Sequence, residues 1–267
     1  MKNMAFKNSF TPTTSVSFDG VNDLLQLANQ GTTAELLSPQ GNEAFSVSAW
    51  VFLQVQSPAD AIWSLRPNSP GTAAGWFCSI ESGAFVFGLM NISGSISHQV
   101  KAYYHPGFSP GWYHVVCVYD GSGDGSGMDI YIDNAIDENG SRTTGAIAND
   151  LGVGSAFAGQ MSIGMDRGVD SFEGLITNVS YWDTNLTALQ ISEIYYGKDG
   201  TKGCGDLRRH SANANLRGWW IGSHASDSIT GVSTGVIKNC ANNPATPSDY
   251  DLSVTNLGAG RLVISNP

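Results

Sequence analysis

The sequence predicts an all-β protein, a two-sheet antiparallel sandwich or jelly roll, and three observations carry that expectation. Short apolar or alternating runs recur along residues 15–182, each closed by turn residues at hairpin spacing. Glycine is abundant, at 32 of 267 residues, while charged residues make up only 13%, against about 25% in an average soluble domain. That balance describes tight turns joining strands, not charge-laced helices. Only one segment, near residue 190, carries a helical period.

The strands follow in order. SVSF (15–18) runs into Asp19-Gly20, and LLQLA (24–28) leads into a polar loop. FSVSAWVFLQV (45–55) is the longest alternating run and puts Phe45, Val47, Ala49, Val51 and Leu53 on one face. IWSL (62–65), GWFCSI (75–80), AFVFGLM (84–90) and HQVKAYY (98–104) come next, with Glu81-Ser82-Gly83 as a short hairpin turn. WYHVVCVY (112–119), MDIYID (128–133), QMSIGM (160–165) and LITNVSYW (175–182) complete the series. The single helix is LTALQISEIY (186–195), with Leu186, Leu189, Ile191 and Ile194 on one side. Thr187 and Gln190 make a capping box, Gly197 is the stop, and about two turns of helix suit a plug over a sandwich edge.

Bulk properties narrow the function classes. The net charge of −10 argues against nucleic acid or anionic lipid as the partner and suits divalent cations or a neutral sugar. The acidity is uneven: residues 198–217 hold five Lys/Arg and two Asp, a local +3 that leaves −13 elsewhere. That stretch is either a solvated linker or a basic strip that docks on an acidic neighbour, such as another copy of the chain. Cys78, Cys117, Cys204 and Cys240 show no C-x-x-C and no histidine at zinc spacing. The start, MKNMAFKNSF, has no apolar run of signal-peptide length, and no run of about 20 apolar residues suits a membrane span.

Residues 120–129, DGSGDGSGMD, copy the opening of a calcium loop but depart from it at the twelfth position, where Tyr131 stands in place of a bidentate Glu. Flanking strands and four glycines read as a hairpin tip. If a cation binds there, Asp120, Asp124 and Asp129 are its oxygen donors; no cofactor is required, and calcium is the ion the loop would take. Catalysis finds no support, because no pair of carboxylates has glycosidase spacing, no H-x-x-x-H pair exists, and no G-x-S-x-G elbow is present. His114 reads as a hydrogen-bonded structural group. For sugar binding, exposed aromatic faces with nearby polar groups are needed. Trp50, Trp112 and Trp182 occupy core-type strand positions. Trp76 beside the loop RPNSPGTAAG, and the loop GMDRGVDS with Asp166, Arg167 and Asp170, are the candidate ligand contacts, the loop being equally readable as a solvated turn.

FDGVNDLLQL, FSVSAWV, GWYHVVCVYDGSGDGSGMDIYIDN and MSIGMDRGVDSFEGLITNVSYWDTNLTALQISEIY stand in the order, over about residues 15–197, that resembles the laminin-G/pentraxin-like (LamG) branch of the concanavalin A-like lectins. The resemblance implies two antiparallel sheets in a jelly roll. It also implies a structural calcium site whose acidic residue is missing: where the family usually reads I-D-E-V, this chain has Ile176-Thr177-Asn178-Val179. Superfamily members include lectins, carbohydrate-binding modules, adhesion domains, glycosidases and architectural modules, so the fold does not choose the function.

Beyond Gly197 the chain becomes rich in Asn, Ser, Gly and Pro, broken by LRGWWIGS (216–223) and YDLSVTNLGAGRLVIS (250–265). Trp219 and Trp220 are costly to leave in water, so this part packs on the sandwich or on a neighbouring subunit, with Arg208, Arg209, Trp219 and Trp220 as candidate subunit contacts. The segment resembles the tail of laminin-G-bearing structural proteins of tailed phages. The expected division is an N-terminal arm (1–14), a β-sandwich (15–197) and a C-terminal extension (198–267). The expected role is a non-enzymatic virion protein, a capsid decoration or tail component assembled in host cytoplasm. It would be a homo-oligomer touching other virion proteins and glycans, with no nucleic acid and no membrane insertion. The alternative is a free-standing, extracellular carbohydrate-binding lectin module.

Overall fold

The computed structural model describes residues 15–27, 37, 39, 42–54, 59–67, 75–90, 96–103, 109–137, 141–142, 145–147, 159–166, 170–197, 205–221, 236–237, 239–242, 250–255, 257 and 262–263. The strands are β1 (Ser15–Asp19), β2 (Leu24–Leu27), β3 (Phe45–Leu53), β4 (Ala59–Pro67), β5 (Gly75–Glu81) and β6 (Ala84–Met90). They continue with β7 (Ile96–Tyr103), β8 (Gly111–Tyr119), β9 (Met128–Ile132), β10 (Ala135–Ile136), β11 (Ser141–Arg142), β12 (Gly159–Ile163) and β13 (Glu173–Trp182). After α1 (Ala188–Tyr196) come β14 (Leu216–Trp220), β15 (Val236–Ile237), β16 (Leu252–Thr255) and β17 (Leu262–Val263).

Among the described residues these strands form two sheets, and every pairing in them is antiparallel. The first, of eight strands, runs β10-β9-β8-β3-β13-β1-β17 with β14 also paired to β13; the second, of nine, runs β11-β7-β6-β5-β4-β12-β2-β16-β15. The chain is a two-sheet antiparallel β-sandwich in which described residues after Gly197 add strands to both sheets. Strand β14 takes up the edge of β13 from Val179 to Trp182, just where β1, paired with residues 173–176, leaves it. On the other sheet, β16 pairs with β2.

Alternation decides the core. Phe45, Val47, Ala49, Val51 and Leu53 of β3 all point between the sheets and are buried. Phe45 is the hub, with ring centroids 5.6 Å from Trp76, 5.9 Å from Phe87, 6.0 Å from Tyr119 and 6.1 Å from Tyr181. Such aromatic pairs add about 0.5–1.5 kcal/mol each beyond their area burial. Two turns show why the local sequence was readable. Ser82 and Gly83 both take positive φ (50° and 79°), as do Asp133 and Asn134 (50° and 68°), which is the two-residue hairpin geometry that suits the strand twist.

The helix keeps its predicted caps: Thr187 accepts from the Gln190 backbone, the Gln190 side chain accepts from the Thr187 N–H, and Gly197 ends the helix with φ 65°. Its placement differs from expectation in two ways. Its buried residues lie against the outer face of the first sheet, not over an edge, because Tyr195 stacks on Trp50 at 5.3 Å. Leu189, expected on the buried side with Ile191 and Ile194, is 73% exposed. The stretch is short enough that a 3.6-residue period fits two adjacent faces about equally well.

Candidate functional site

Side chains on β3 and β8 that do not enter the core stand on the outer face of the first sheet. The pairing register lines them up in rows: His114, Trp50 and Thr177 in one, Trp112, Phe52, Leu175 and Ser17 in the next. The first row is roofed. Tyr195 of α1 stacks on Trp50, and the His114 ring lies 4.9 Å from Trp50 and 5.7 Å from Tyr195. His114 is buried in this aromatic stack.

Toward β14 the same face is covered by a second apolar cluster. Val116, Val118 and Trp182 of the sheet meet Leu186, Ile191 and Ile194 of the helical segment and Leu207, Leu216, Trp219 and Ile221 of the C-terminal residues. Asn178 is the clasp. It sits at a β-bulge between Thr177 and Ser180, takes the left-handed conformation (φ 54°), and its Oδ1 accepts the indole N–H of Trp219. Arg208 grips Asp206 through two guanidinium hydrogen bonds, at 2.7 and 2.9 Å, and lies 5.8 Å over the Trp219 ring. Burial pushes the Asp206 carboxyl up, but Arg208 and Arg209 outweigh it and hold it below its ordinary value.

The second row remains partly open. Phe52 and Trp112 are half-buried, their rings in an edge-to-face pair with centroids 5.5 Å apart. Polar groups border them. Gln54 and Glu173 are exposed, Ser17 is partly exposed beyond Leu175, and the Asp133-Asn134 turn flanks β8 on the other side. Asp133 is held there by two bonds: its Oδ1 accepts from the His114 N–H at 3.0 Å, and its own N–H donates to the His114 carbonyl at 2.9 Å. An aromatic pair with carboxylates and amides at its rim is the chemistry that takes a sugar ring on its C–H face and its hydroxyls at the edges.

Of the residues expected to contact a ligand, Trp76 and Asp166 are buried and Asp170 is exposed. Trp76 is 1% exposed on the inner face of β5, its indole N–H donating to the Leu37 carbonyl at 3.2 Å, so it has no free face to stack on a sugar. Asp166 is buried, which corrects its reading as part of a polar rim. Asp170 is exposed and serves as a turn, with φ 52° and a carbonyl that accepts from the Ala61 N–H. Arg167 lies outside the described residues.

The calcium expectation does not fit this geometry either. Asp120 Oδ1 accepts from the Ser122 N–H at 2.8 Å, and Asp124 Oδ1 caps a short 3-10 turn at the Ser126 N–H, also at 2.8 Å. Asp129 stands within β9, alternating with the buried Met128 and Ile130. The loop aspartates hold their own backbone, as turn aspartates do. Among the described residues no three His, Cys, Asp or Glu side chains gather as a group that could hold a metal ion. At the family's acidic position, Asn178 is engaged with Trp219 instead.

Of the candidate subunit contacts, Trp219 and Trp220 are buried in this chain, Trp220 donating its indole N–H to the Tyr250 carbonyl at 2.7 Å. Neither is available to a second subunit. Arg208 is committed to Asp206, while Arg209 keeps 59% of its side chain exposed.

Sequence reasoning placed Trp112 in the core and did not single out Phe52. The signal was present in the alternation. With Val51 and Leu53 facing inward, Phe52 has to face out, and a helix of two turns cannot roof the whole sheet.

Against known proteins, the family model Laminin_G_3, described as Concanavalin A-like lectin/glucanases superfamily, matches residues 19–192. A Bacteroides ovatus protein assigned to carbohydrate binding has a similar structure, with TM-score 0.57 at 16% identity, over 96% of this chain and 60% of that one. This chain therefore spans 60% of that protein's length. The CBM40 module of a Ruminococcus gnavus IT-sialidase is similar at TM-score 0.51 and 10% identity, over 68% of this chain and 97% of the module. At such identities the likeness is one of fold. No curated protein matches the sequence. Among the described residues, no helix is long and apolar enough to cross a membrane.

Proposed function

The chain belongs to the laminin-G family of the concanavalin A-like lectin/glucanase superfamily, and on that premise we propose that it is a non-catalytic carbohydrate-binding protein. The observation that carries this reading is the half-open Phe52–Trp112 pair, rimmed by Asp133, Asn134, Glu173 and Gln54. The other outward aromatic ring of β3, Trp50, is roofed by Tyr195, so the open pair is a local feature of the face. The pair stacks on a neutral pyranose and the rim takes its hydroxyls; the excess of carboxylates over cations disfavours strongly anionic sugars.

Glycan-array binding followed by titration calorimetry tests this. The wild-type chain is expected to retain neutral glycans, and Trp112→Ala to lose affinity at least about tenfold, as for an aromatic anchor in a sugar site. Because Trp112 is partly exposed on the outer face, its replacement should leave the melting temperature within a few degrees. Absence of any glycan binding, or unchanged binding by Trp112→Ala, would defeat the reading.

A second reading, a virion surface or tail component, has one observation in its favour. Leu189 on α1 is an exposed apolar residue and Arg209 an exposed cation on this acidic protein, groups suited to an acidic neighbour, a second copy included. Light scattering tests it: a defined oligomer that Arg209→Glu with Leu189→Glu returns to monomer supports assembly, and a wild-type monomer at all concentrations removes the support.

A further inference from the structure

The half-open aromatic pair is one end of a longer row. Across the first sheet the register sets Trp112 of β8 beside Phe52 of β3, Phe52 beside Leu175 of β13, and Leu175 beside Ser17 of β1. Strands about 4.8 Å apart carry this row over about 14 Å, the length of about three linked pyranose rings. Trp112, Phe52 and Ser17 keep part of their surface exposed, and Leu175 is the buried floor between them.

The row has two unlike sides. On one stands the row of His114 and Trp50, raised by the Tyr195 ring stacked on Trp50 at 5.3 Å. On the other, two residues along each strand and so on the same face, lie Gln54 and Glu173, both exposed, and Asp19, which pairs with Glu173. Among the described residues no further strand closes the ends: β9 pairs with β8 from Val115 onward, and β17 with β1 at Ser15 and Val16. A ligand chain can therefore run through the row instead of ending in it.

Resting on the carbohydrate reading above, we infer that the site takes an internal stretch of a single linear, neutral glycan chain, about three sugars long, laid across the strands from Trp112 to Ser17. The Phe52 and Trp112 rings are inclined at 66°, so they cannot both lie flat under one plane of sugars. The sheet itself turns by about 20–25° from strand to strand. The platform thus follows a twisted single chain and rejects the flat face of a crystalline polysaccharide. One sugar stacks on the aromatic pair. Gln54 beside Phe52, Glu173 beside Leu175 and Asp19 beside Ser17 give successive sugars partners for their hydroxyls, and the small Ser17 leaves room for the chain to pass out.

Calorimetric titration of the full chain with neutral β-1,4-linked gluco-, xylo- and manno-oligosaccharides of one to six sugars tests this. Within the series that binds, affinity is expected to rise at least about tenfold from the monosaccharide to the trisaccharide and to level off by the tetrasaccharide. Reducing the end sugar of the hexasaccharide to its alditol should leave its affinity unchanged. Ser17→Arg, which fills the far end of the row, should remove the gain beyond the disaccharide, while Trp112→Ala weakens every length. The ladder on the wild-type chain decides the matter even if a variant folds poorly. Equal affinity for the monosaccharide and the hexasaccharide, both weakened by Trp112→Ala, would overturn the inference and leave the carbohydrate reading standing. A gain still growing beyond the tetrasaccharide, binding confined to branched glycans, or retention on microcrystalline cellulose would overturn it as well. Failure to bind any glycan would defeat both.

Discussion

Trp219→Ala is expected to destabilise the protein by about 3–5 kcal/mol, the usual cost of removing a fully buried tryptophan. For a chain of this size that corresponds to a fall in melting temperature on the order of 10 °C. The effect combines three losses. The indole fills the cluster that joins the outer face of the first sheet to the helix and the C-terminal residues. Its N–H satisfies Asn178 Oδ1, a buried acceptor at a left-handed bulge, and an orphaned acceptor of that kind costs about 1–3 kcal/mol. Its ring carries the Arg208 guanidinium. Trp219→Phe separates the terms, because it keeps much of the apolar volume and strands Asn178; it should fall between wild type and Trp219→Ala. A double-mutant cycle with Asn178→Ala, followed by urea unfolding, reads the pair directly. If Trp219→Ala cost less than about 1 kcal/mol, the C-terminal residues would be a loosely attached arm after all.

Gly174→Ala is expected to be at least as damaging, on the order of 3 kcal/mol or more, and to reduce the yield of folded protein. Gly174 has φ 147°, and an added Cβ would stand 2.2 Å from the Phe52 carbonyl and 3.0 Å from the Phe172 ring. Flanking strands β1 and β3 pair with it on both sides, so the backbone has little room to relax. The carbonyl it would strike belongs to Phe52, so surviving folded molecules should also lose glycan affinity together with the aromatic pair. Gly123→Ala is the control. It too has positive φ, 73°, but nothing lies within 4 Å of an added Cβ, so it bears the conformational strain without a clash. Its cost should stay near about 1 kcal/mol, measured by the same urea titration. Equal effects at the two positions would mean that the close approach at Gly174 is not what limits it.

Much of the fold was legible because strand alternation and turn chemistry are local. Phe45 to Leu53 announced its inward face, the Ser82-Gly83 turn its hairpin, and Thr187 with Gln190 the helix start. The candidate site was legible only in part. Nothing local distinguishes Trp50 from Trp112, for both lie on outward-facing strand positions; the difference is that Tyr195 covers one of them. Trp76 looked accessible because its neighbours in sequence are glycine and proline, yet its own strand turns it into the core.

The order of strands, their inward residues, the hairpin nature of residues 120–129 and the short capped helix were thus determined by the sequence alone, since each depends on contacts within a few residues. What the tertiary structure decided is how the outer face is shared out. It committed Asn178 to Trp219, drew β14 and β16 from the C-terminal residues into the two sheets, and left Phe52 and Trp112 half open. These outcomes follow from which distant segments compete to cover the same apolar surface. That competition is settled by total burial across the folded chain, which no short window of sequence contains.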